Sequence, residues 1–381
     1  MNHKKEEFVK MKHLCISILF TLTLISSNLL AQATVYKVRN VLSMKISSSI
    51  NPATLNYLKT GFNKALEIDS SAILIEINTP GGLISTTKEI LTLFGESKVP
   101  IIVWVSPEGA SATSAGAIIA SGSHLLYMSE GTNIGAATPI QLQGDIKSKD
   151  LRNKAINDLV ALVQSLSEAR KRNGEHFGKM ISEGKSYKAL DAKKKKLING
   201  IINDRAEIMK AINGVEISIK GVAQKIEAKS INFIEFEMDL GQKLLNIFAN
   251  PSMAYILFII GAALIYFEMQ APGGFIAGSI GAVCLVLSGI GFQILPLNFG
   301  AFGLVVLSFV LFILEIYITS YGILSLAGLA ALITGSLFLF RTDNAYLELS
   351  RGLIYSTSAA IAFFVAIVAY LLMKDFSNRK K

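Results

Sequence analysis

Between residues 252 and 373 the chain is almost entirely Leu, Ile, Ala, Val, Phe and Gly. A block so apolar has few folds open to it. It divides into five stretches, about 252–267, 274–293, 300–318, 322–340 and 353–373, each near the ~20 residues that a helix needs to cross a bilayer. The first is short and the loops are tight, so four spans remain an alternative. Residues 34–235 have instead the composition of a soluble domain, and the chain's overall 51% apolar content describes neither part. Residues 236–251 form an amphipathic linker, the end of a lead-in over Phe233–Phe248.

The apolar block repeats internally. Glu268, Ile276 and Gly281 recur at identical spacing as Glu315, Ile323 and Gly328, with Ser288-Gly289 matched by Gly335-Ser336. Two hairpins inserted in the same sense, plus one further span, account for this. Glu268 and Glu315 then lie at the same, cytoplasmic, end. A carboxylate inside a span points to function; at the end of a span it reaches headgroups or caps the next loop, and the latter is favoured. Five spans also place Lys374, Arg379, Lys380 and Lys381, in the tail 374–381, in the cytoplasm, with Arg341 and Arg351 outside, as the positive-inside rule requires.

Residues 1–33 read as a secretory signal. Lys10, Lys12 and His13 precede the apolar run Leu14–Leu30, and Ala31-Gln32-Ala33 supplies small residues for cleavage. Met11 is an alternative start. Cleaved or retained, this leader puts the next domain outside the cytoplasmic membrane. The two cysteines, Cys15 and Cys284, both lie in apolar segments, so the soluble domain has no disulfide framework, thiolate metal site or cysteine nucleophile. The net charge of +9 comes mainly from residues between Lys147 and Lys229, densest at Lys193–Lys196. No module interleaves aromatics with this charge, so a solvated helix face near headgroups is expected and a nucleic-acid partner is not.

The soluble domain alternates strands and helices. Val35–Ile46, Ala72–Ile77, Ile101–Val105 and Leu125–Met128 read as strands. Helices are expected after Asn51-Pro52, from about Ser85 to Gly95, after Ser114, and over Leu151–Arg172, with shorter pieces over Lys188–Ile202 and Arg205–Ile212. A mainly parallel α/β sheet follows. Sites in such sheets form beyond the carboxyl ends of strands, where Gly81-Gly82 and Ser114 both fall. Gln141–Lys149 is a polar stretch and the candidate lid.

The chemistry centres on Gly109-Ala110-Ser111-Ala112-Thr113-Ser114-Ala115-Gly116, between a strand and a helix. A hydroxyl at a helix N-terminus can be an activated nucleophile beside free N–H donors, or simply an N-cap. A serine nucleophile needs a base. His124 and His176 are the histidines of the soluble domain, and no carboxylate is placed to orient either, so a Ser-His-Asp triad is poorly supported. Lys147, Lys149 and Lys154 are alternatives, because a desolvated lysine can serve as the base. Periodicity, however, puts Lys154 opposite the apolar stripe of its helix. Gly82, after a Pro-Gly turn, lets backbone approach a bound carbonyl, with the Ala115 N–H as a second donor; the plainer reading is a tight strand-to-helix turn.

Asn78-Thr79-Pro80-Gly81-Gly82, the Gly109–Gly116 run, Gly122-Ser123-His124 and Gly131-Thr132-Asn133-Ile134-Gly135-Ala136 resemble, in that order, the NfeD family of membrane-bound serine proteases. The Pro251-Ser252-Met253-Ala254-Tyr255, Phe267-Glu268 and Pro272-Gly273 pattern is similar to the family's membrane region. The resemblance implies a ClpP/crotonase-like α/β protease domain, related to signal peptide peptidase A, followed by an all-α multi-span membrane domain. It implies a Ser-Lys dyad of Ser114 and Lys154, an oxyanion hole from the Gly82 and Ala115 N–H groups, and no metal or organic cofactor. It implies a stomatin-like membrane protein as substrate or partner, cut in hydrophobic segments, and a homodimer or larger oligomer. The location implied is the bacterial cytoplasmic (inner) membrane, with the protease domain on the periplasmic or extracellular side.

Asn78 stands where relatives often carry Asp, which bears on turn packing. The chain stops at Lys381, whereas many long relatives continue into an OB-like barrel. The alternative to an endopeptidase is a non-catalytic membrane scaffold organising a stomatin-type assembly. A crotonase-type acyl-CoA enzyme is disfavoured, because an exported domain would not meet CoA.

Overall fold

The computed structural model describes residues 34–139, 149–270, 274–318, 320, 322–340 and 349–379. The secretory leader, most of the candidate lid including Lys147, Pro272-Gly273, Arg341 and Lys380-Lys381 lie outside the described residues.

Val35–Ile46 is two strands rather than one. The chain leaves β1 (Thr34–Lys37) at Val38, whose N–H donates to Glu227 O at 2.9 Å and whose side chain is buried, before β2 (Asn40–Ile46) begins. Helix α1 (Pro52–Glu67) follows, opened by an Asn51/Thr54 capping box with proline in its first turn. Then come β3 (Ala72–Ile77), α2 (Ile84–Glu96), β4 (Ile101–Val105), β5 (Ser111–Thr113), α3 (Ala115–Gly122), β6 (Leu125–Met128) and β7 (Asn133–Gly135). After the long helix α4 (Lys149–Ala169) lie α5 (Gly174–Ser182), β8 (Ser186–Lys188), α6 (Ala189–Lys194), β9 (Gly200–Ile201), α7 (Arg205–Ile212), β10 (Glu216–Ile219), β11 (Val222–Glu227) and β12 (Asn232–Glu235).

The main sheet has the order β12-β2-β3-β4-β6-β9, and every pairing in it is parallel. Side chains alternate between the two faces of each strand, and β3 and β4 are apolar at nearly every position, so the sheet is buried on both sides. Ile73, Ile75 and Ile77 of β3, with Ile101, Val103 and Val105 of β4, join one core with the α1, α2 and α3 helices. Leu74, Ile102 and Trp104 face the opposite core, with Ile208 and Ile212 of α7. Two three-stranded sheets flank this one, β1-β11-β10 and β5-β7-β8. Phe233–Glu235, expected within an amphipathic lead-in, instead forms the edge strand β12 beside β2.

The described part of the apolar region is a series of helices joined by short connections. Helix α8 (Leu240–Phe248) leads into α9 (Pro251–Gln270), α10 (Ile276–Ile294), α11 (Phe299–Tyr317), α12 (Ile323–Leu337) and α13 (Arg351–Arg379). Among the described residues, α9 and α10 are long and apolar enough to cross a membrane. Val283, Val286, Leu326 and Phe363 point outward, while Tyr255, Phe312 and Leu332 form an internal core. The Tyr255 hydroxyl lies 2.9 Å from Ser336 Oγ and 3.2 Å from Thr357 Oγ1, so polar atoms of α9, α12 and α13 satisfy one another inside the bundle.

The repeat is visible in the packing. Glu268 accepts from the N–H groups of Phe275 (3.0 Å) and Gly278 (3.3 Å); Glu315 accepts from those of Gly322 (3.0 Å) and Ser325 (3.0 Å). Both carboxylates cap the helix that follows, the favoured reading of the two.

Candidate active site

The short strand β5 leads directly into Ser114 at the head of α3. It runs parallel to β7, with Thr113 opposite Gly135, and the Ser114 N–H donates to Gly135 O at 2.9 Å. Ser114 itself has φ 53° and ψ −116°. An L-residue rarely adopts that backbone, and doing so costs on the order of 1–3 kcal/mol. Its side chain makes no capping hydrogen bond to α3 and is half-buried. The plain N-cap reading is therefore not what the geometry shows. Ala115, buried at the first position of α3, and Gly116 after it have N–H groups with no acceptor inside the helix.

The Asn78–Gly82 turn is paired to the same strand. Thr79 N–H donates to Ser111 O (2.8 Å), and Thr113 N–H donates to Thr79 O (3.1 Å). Asn78 Oδ1 accepts from the Ser111 N–H at 3.1 Å and so ties the turn to β5. Ser111 Oγ lies 2.6 Å from Asn133 Oδ1 and serves packing. A Cβ on Gly116 would stand 2.5 Å from Thr79 Cγ2, and one on Gly82 would stand 2.1 Å from Ile50 O. Both glycines are required by close approach. The fold thus brings Ser114, Ala115 and the Gly82 turn to the carboxyl ends of β3 and β5.

It does not join Lys154 to them. Lys154 is exposed near the start of α4, and among the described residues it makes no hydrogen bond or ion pair with Ser114. The apolar stripe of α4, with Leu159 and Val163 buried, faces the core. Lys149 lies at the first position of the same helix.

The histidines have other partners. His124 is buried, and its Nδ1 accepts from the Ile101 N–H at 3.1 Å. Burial first, then Arg170 and Arg172, hold its pKa down to about 3. His176 Nδ1 lies 3.0 Å from the Tyr187 hydroxyl, and partial burial, then Lys195 and Lys179, lower its pKa. Neither contacts Ser114 among the described residues.

Arg172 is a residue that sequence reasoning missed. Fully enclosed, its Nη2 donates to Ser121 O (2.9 Å) and Ser123 O (2.5 Å), so it caps the carboxyl end of the helix that Ser114 begins. Burial, then Arg170, bring its pKa down to about 9. A basic residue beyond the end of α4 carries no signal of this role, because its partners are some fifty positions away. The lysines 193–196 are exposed, as expected of a solvated face. Among the described residues no three His, Cys, Asp or Glu side chains gather as metal ligands. An apolar cleft of about 620 Å³ lies between α9 and α13, lined by Ile256, Ile260, Phe267, Leu353 and Phe364 among others.

Comparison with known proteins agrees with this architecture. Residues 40–235 match the family model described as NfeD1b, N-terminal domain, and residues 252–373 match the NfeD integral membrane domain. The membrane-bound protease PH1510 of Pyrococcus horikoshii is 29% identical over 370 residues, covering 93% of this chain and 81% of that one. Membrane protein NfeD1b of Bacillus subtilis is 23% identical over 354 residues, covering 93% and 78%. Among solved structures, a lysine-to-alanine mutant of the 1510-N membrane-bound stomatin-specific protease, in complex with a substrate peptide, superposes with a TM-score of 0.51. It is 29% identical and covers 55% of this chain and 97% of that one. A serine-to-alanine mutant of the same protease gives 0.50 at 29% identity, covering 53% and 99%. The expected order, a ClpP-like α/β domain followed by apolar helices, is the one observed. The N-terminal model alone spans just over half of the chain and the membrane model takes up most of the remainder, so this chain is a membrane protein of the NfeD family.

Proposed function

We propose that the chain is a membrane-anchored serine endopeptidase that cuts hydrophobic segments of membrane proteins, with a stomatin-like protein as substrate. The observation that carries this reading is Ser114, held at positive φ at the head of α3 with its side chain free of a capping bond and the Gly82 turn paired alongside. The relatives support it, being a membrane-bound protease and structures of a stomatin-specific protease in serine and lysine variants.

In this mechanism Ser114 Oγ attacks the peptide carbonyl carbon as its proton passes to neutral Lys154. The N–H groups of Gly82 and Ala115 hold the oxyanion. Lys154 then protonates the leaving amine, and the acyl group remains on Ser114. Water attacks that ester, giving its proton to Lys154, and the carboxylic acid departs as Ser114 regains its hydroxyl. No cofactor enters the scheme. Lys154 acts as a base only once desolvated, and a second copy of the chain closing over the exposed face of α4 would supply that cover. The helices α9 to α13 span the bacterial cytoplasmic membrane five times, with the α/β domain on the outer side.

The exposure of Lys154 favours a second reading, a non-catalytic scaffold for a stomatin-type assembly. The two separate in one experiment. Full-length protein in liposomes is offered a hydrophobic peptide and a serine-reactive phosphonate, alongside Ser114→Ala and Lys154→Ala variants. The endopeptidase reading expects cleavage and Ser114 labelling in the wild type and loss of cleavage in both variants. Undiminished cleavage by Lys154→Ala ends the dyad assignment. A Ser114 that never reacts supports the scaffold.

A further inference from the structure

Helix α8 is amphipathic in the reverse of the usual sense. Its amides Gln242 and Asn246 face the protein, while Leu240, Leu244 and Ile247 face out beside the exposed Lys243. Gln242, buried, donates from Nε2 to Asn56 Oδ1 (3.1 Å) and Thr60 Oγ1 (3.3 Å) of α1. One turn on, Asn246 Oδ1 accepts from Asn51 Nδ2 (3.0 Å), and its Nδ2 donates to Ser48 Oγ (3.1 Å). On the opposite side Leu240, Leu244 and Ile247 are 75%, 43% and 47% exposed. At 100° per residue these three fall within one narrow sector. In water such a face is a liability.

What covers it follows from where α8 sits. The helix α9 begins at Pro251, three positions after Phe248, and is capped by Asn250 Oδ1, which accepts from the Ser252 and Met253 N–H groups at 2.9 and 3.3 Å. The Phe248 carbonyl lies against Gly291, where a Cβ would stand 2.5 Å from it. Gly291 is in the last turn of α10, which ends at Ile294. So α8 leaves the bundle at the level where α9 starts and α10 stops. That is the boundary of the apolar slab.

We propose that α8 is an in-plane membrane helix, its Leu240/Leu244/Ile247 face seated in the headgroup–acyl boundary of the bilayer while its amides hold the Ser48–Asn51 segment that backs Gly82. A helix of this kind sinks its apolar face about 5–10 Å into the boundary. The inward connection is short. Ile50, between Ser48 and Asn51, donates its N–H to Gly81 O (2.8 Å) and accepts from the Leu83 N–H (2.9 Å), and its backbone fills the space beside Gly82. Leu83 itself packs against the core of the membrane helices. The turn assigned to the oxyanion is thereby held at the bilayer surface from two directions. The inference rests on the reading of α9 as a membrane span, and not on catalysis.

Depth-dependent quenching tests it in the full-length chain reconstituted into phosphatidylcholine liposomes. Wild-type protein supplies the background, since Trp104 is its sole tryptophan and is buried in the α/β domain. Leu244→Trp and, as a second variant on the same face, Ile247→Trp report on α8; Ile260→Trp, at the middle of α9, reports on the span. Lipids brominated near the headgroup should quench the two α8 reporters more strongly than lipids brominated near the chain ends, with the order reversed for Ile260→Trp. Quenching of Ile260→Trp with neither α8 reporter affected by any lipid overturns the proposal and leaves the span reading standing. No quenching at Ile260→Trp either brings both down. Efficient disulfide linkage of Leu244→Cys between copies in dilute liposomes would show a second chain on this face and would also overturn it.

Discussion

Ser114 combines two costs that a structural residue would avoid: an L-configured side chain at φ 53° and a hydroxyl that caps nothing. Glycine at this position relieves strain of roughly 1–3 kcal/mol but loses about 0.4–1 kcal/mol through the entropy of the unfolded chain. The first effect is larger. Ser114→Gly should therefore unfold at a higher temperature than Ser114→Ala, by the equivalent of about 1 kcal/mol, with both inactive under the proposed mechanism. Equal melting temperatures would mean that the backbone at Ser114 is relaxed. His124 makes a second prediction at this scale. Its folded pKa, about 3, lies below the ~6.5 of an exposed histidine, so the unfolded chain binds the proton first as pH falls. The stability it contributes is whole above about pH 6.5 and is lost progressively down to about pH 3, amounting to roughly 2 kcal/mol by pH 5. His124→Gln should flatten the acid limb of a melting-temperature profile between pH 7 and 5, and an unchanged limb would assign it to other groups.

At the scale of elements, the two hairpins are held by the same devices at equivalent positions. Gly281 lies against Gly261, with 2.8 Å from its missing Cβ to the Gly261 carbonyl, and Gly328 lies against Phe312 and Ser308 O. At the bend of each hairpin a carboxylate in the last turn of the first helix caps the second. In lipid, helices gain nothing from burying apolar surface against one another, so close approach at small residues supplies most of the association. Gly281→Leu and Gly328→Leu should each separate their helix pair and cost about 1–3 kcal/mol. The check is the midpoint of detergent-induced unfolding followed by circular dichroism. A neutral outcome at both would mean that the glycines are spacers only.

For the whole molecule, the amides of α8 tie two bodies with different solvents into one. Gln242→Ala with Asn246→Ala removes the side-chain bonds to Asn56, Thr60, Ser48 and Asn51. At about 1 kcal/mol per neutral bond and partial re-solvation, the strap loosens by roughly 2 kcal/mol, or about thirtyfold in the population that opens. Trypsin should then cut after Lys243 correspondingly faster while the melting of the α/β domain stays nearly constant. Unaltered cleavage would show that packing rather than the amides holds α8 in place.

Much of this was legible in the sequence, because much of it is local. The near-continuous apolar runs Ala72–Ile77 and Ile101–Val105 specify strands buried on both faces, and the 252–373 block specifies apolar helices, since each pattern states its own solvent. The recurrence of Glu268 as Glu315 announced the repeat, and the Gly-rich turns marked where backbones approach. Other features depend on partners far along the chain, and no spacing encodes those. Only the fold splits Val35–Ile46 between two sheets and gives Phe233–Glu235 to the edge of β2. Only the fold places Arg172 beneath the helix of Ser114 and turns the apolar face of α8 outward. Ser114 shows the division most plainly: its position before a helix was evident from its neighbours, but its backbone strain is imposed by β7 and the Asn78–Gly82 turn on either side. Lys154 stands on the other side of that line, since its periodicity pointed to solvent and the single chain leaves it there.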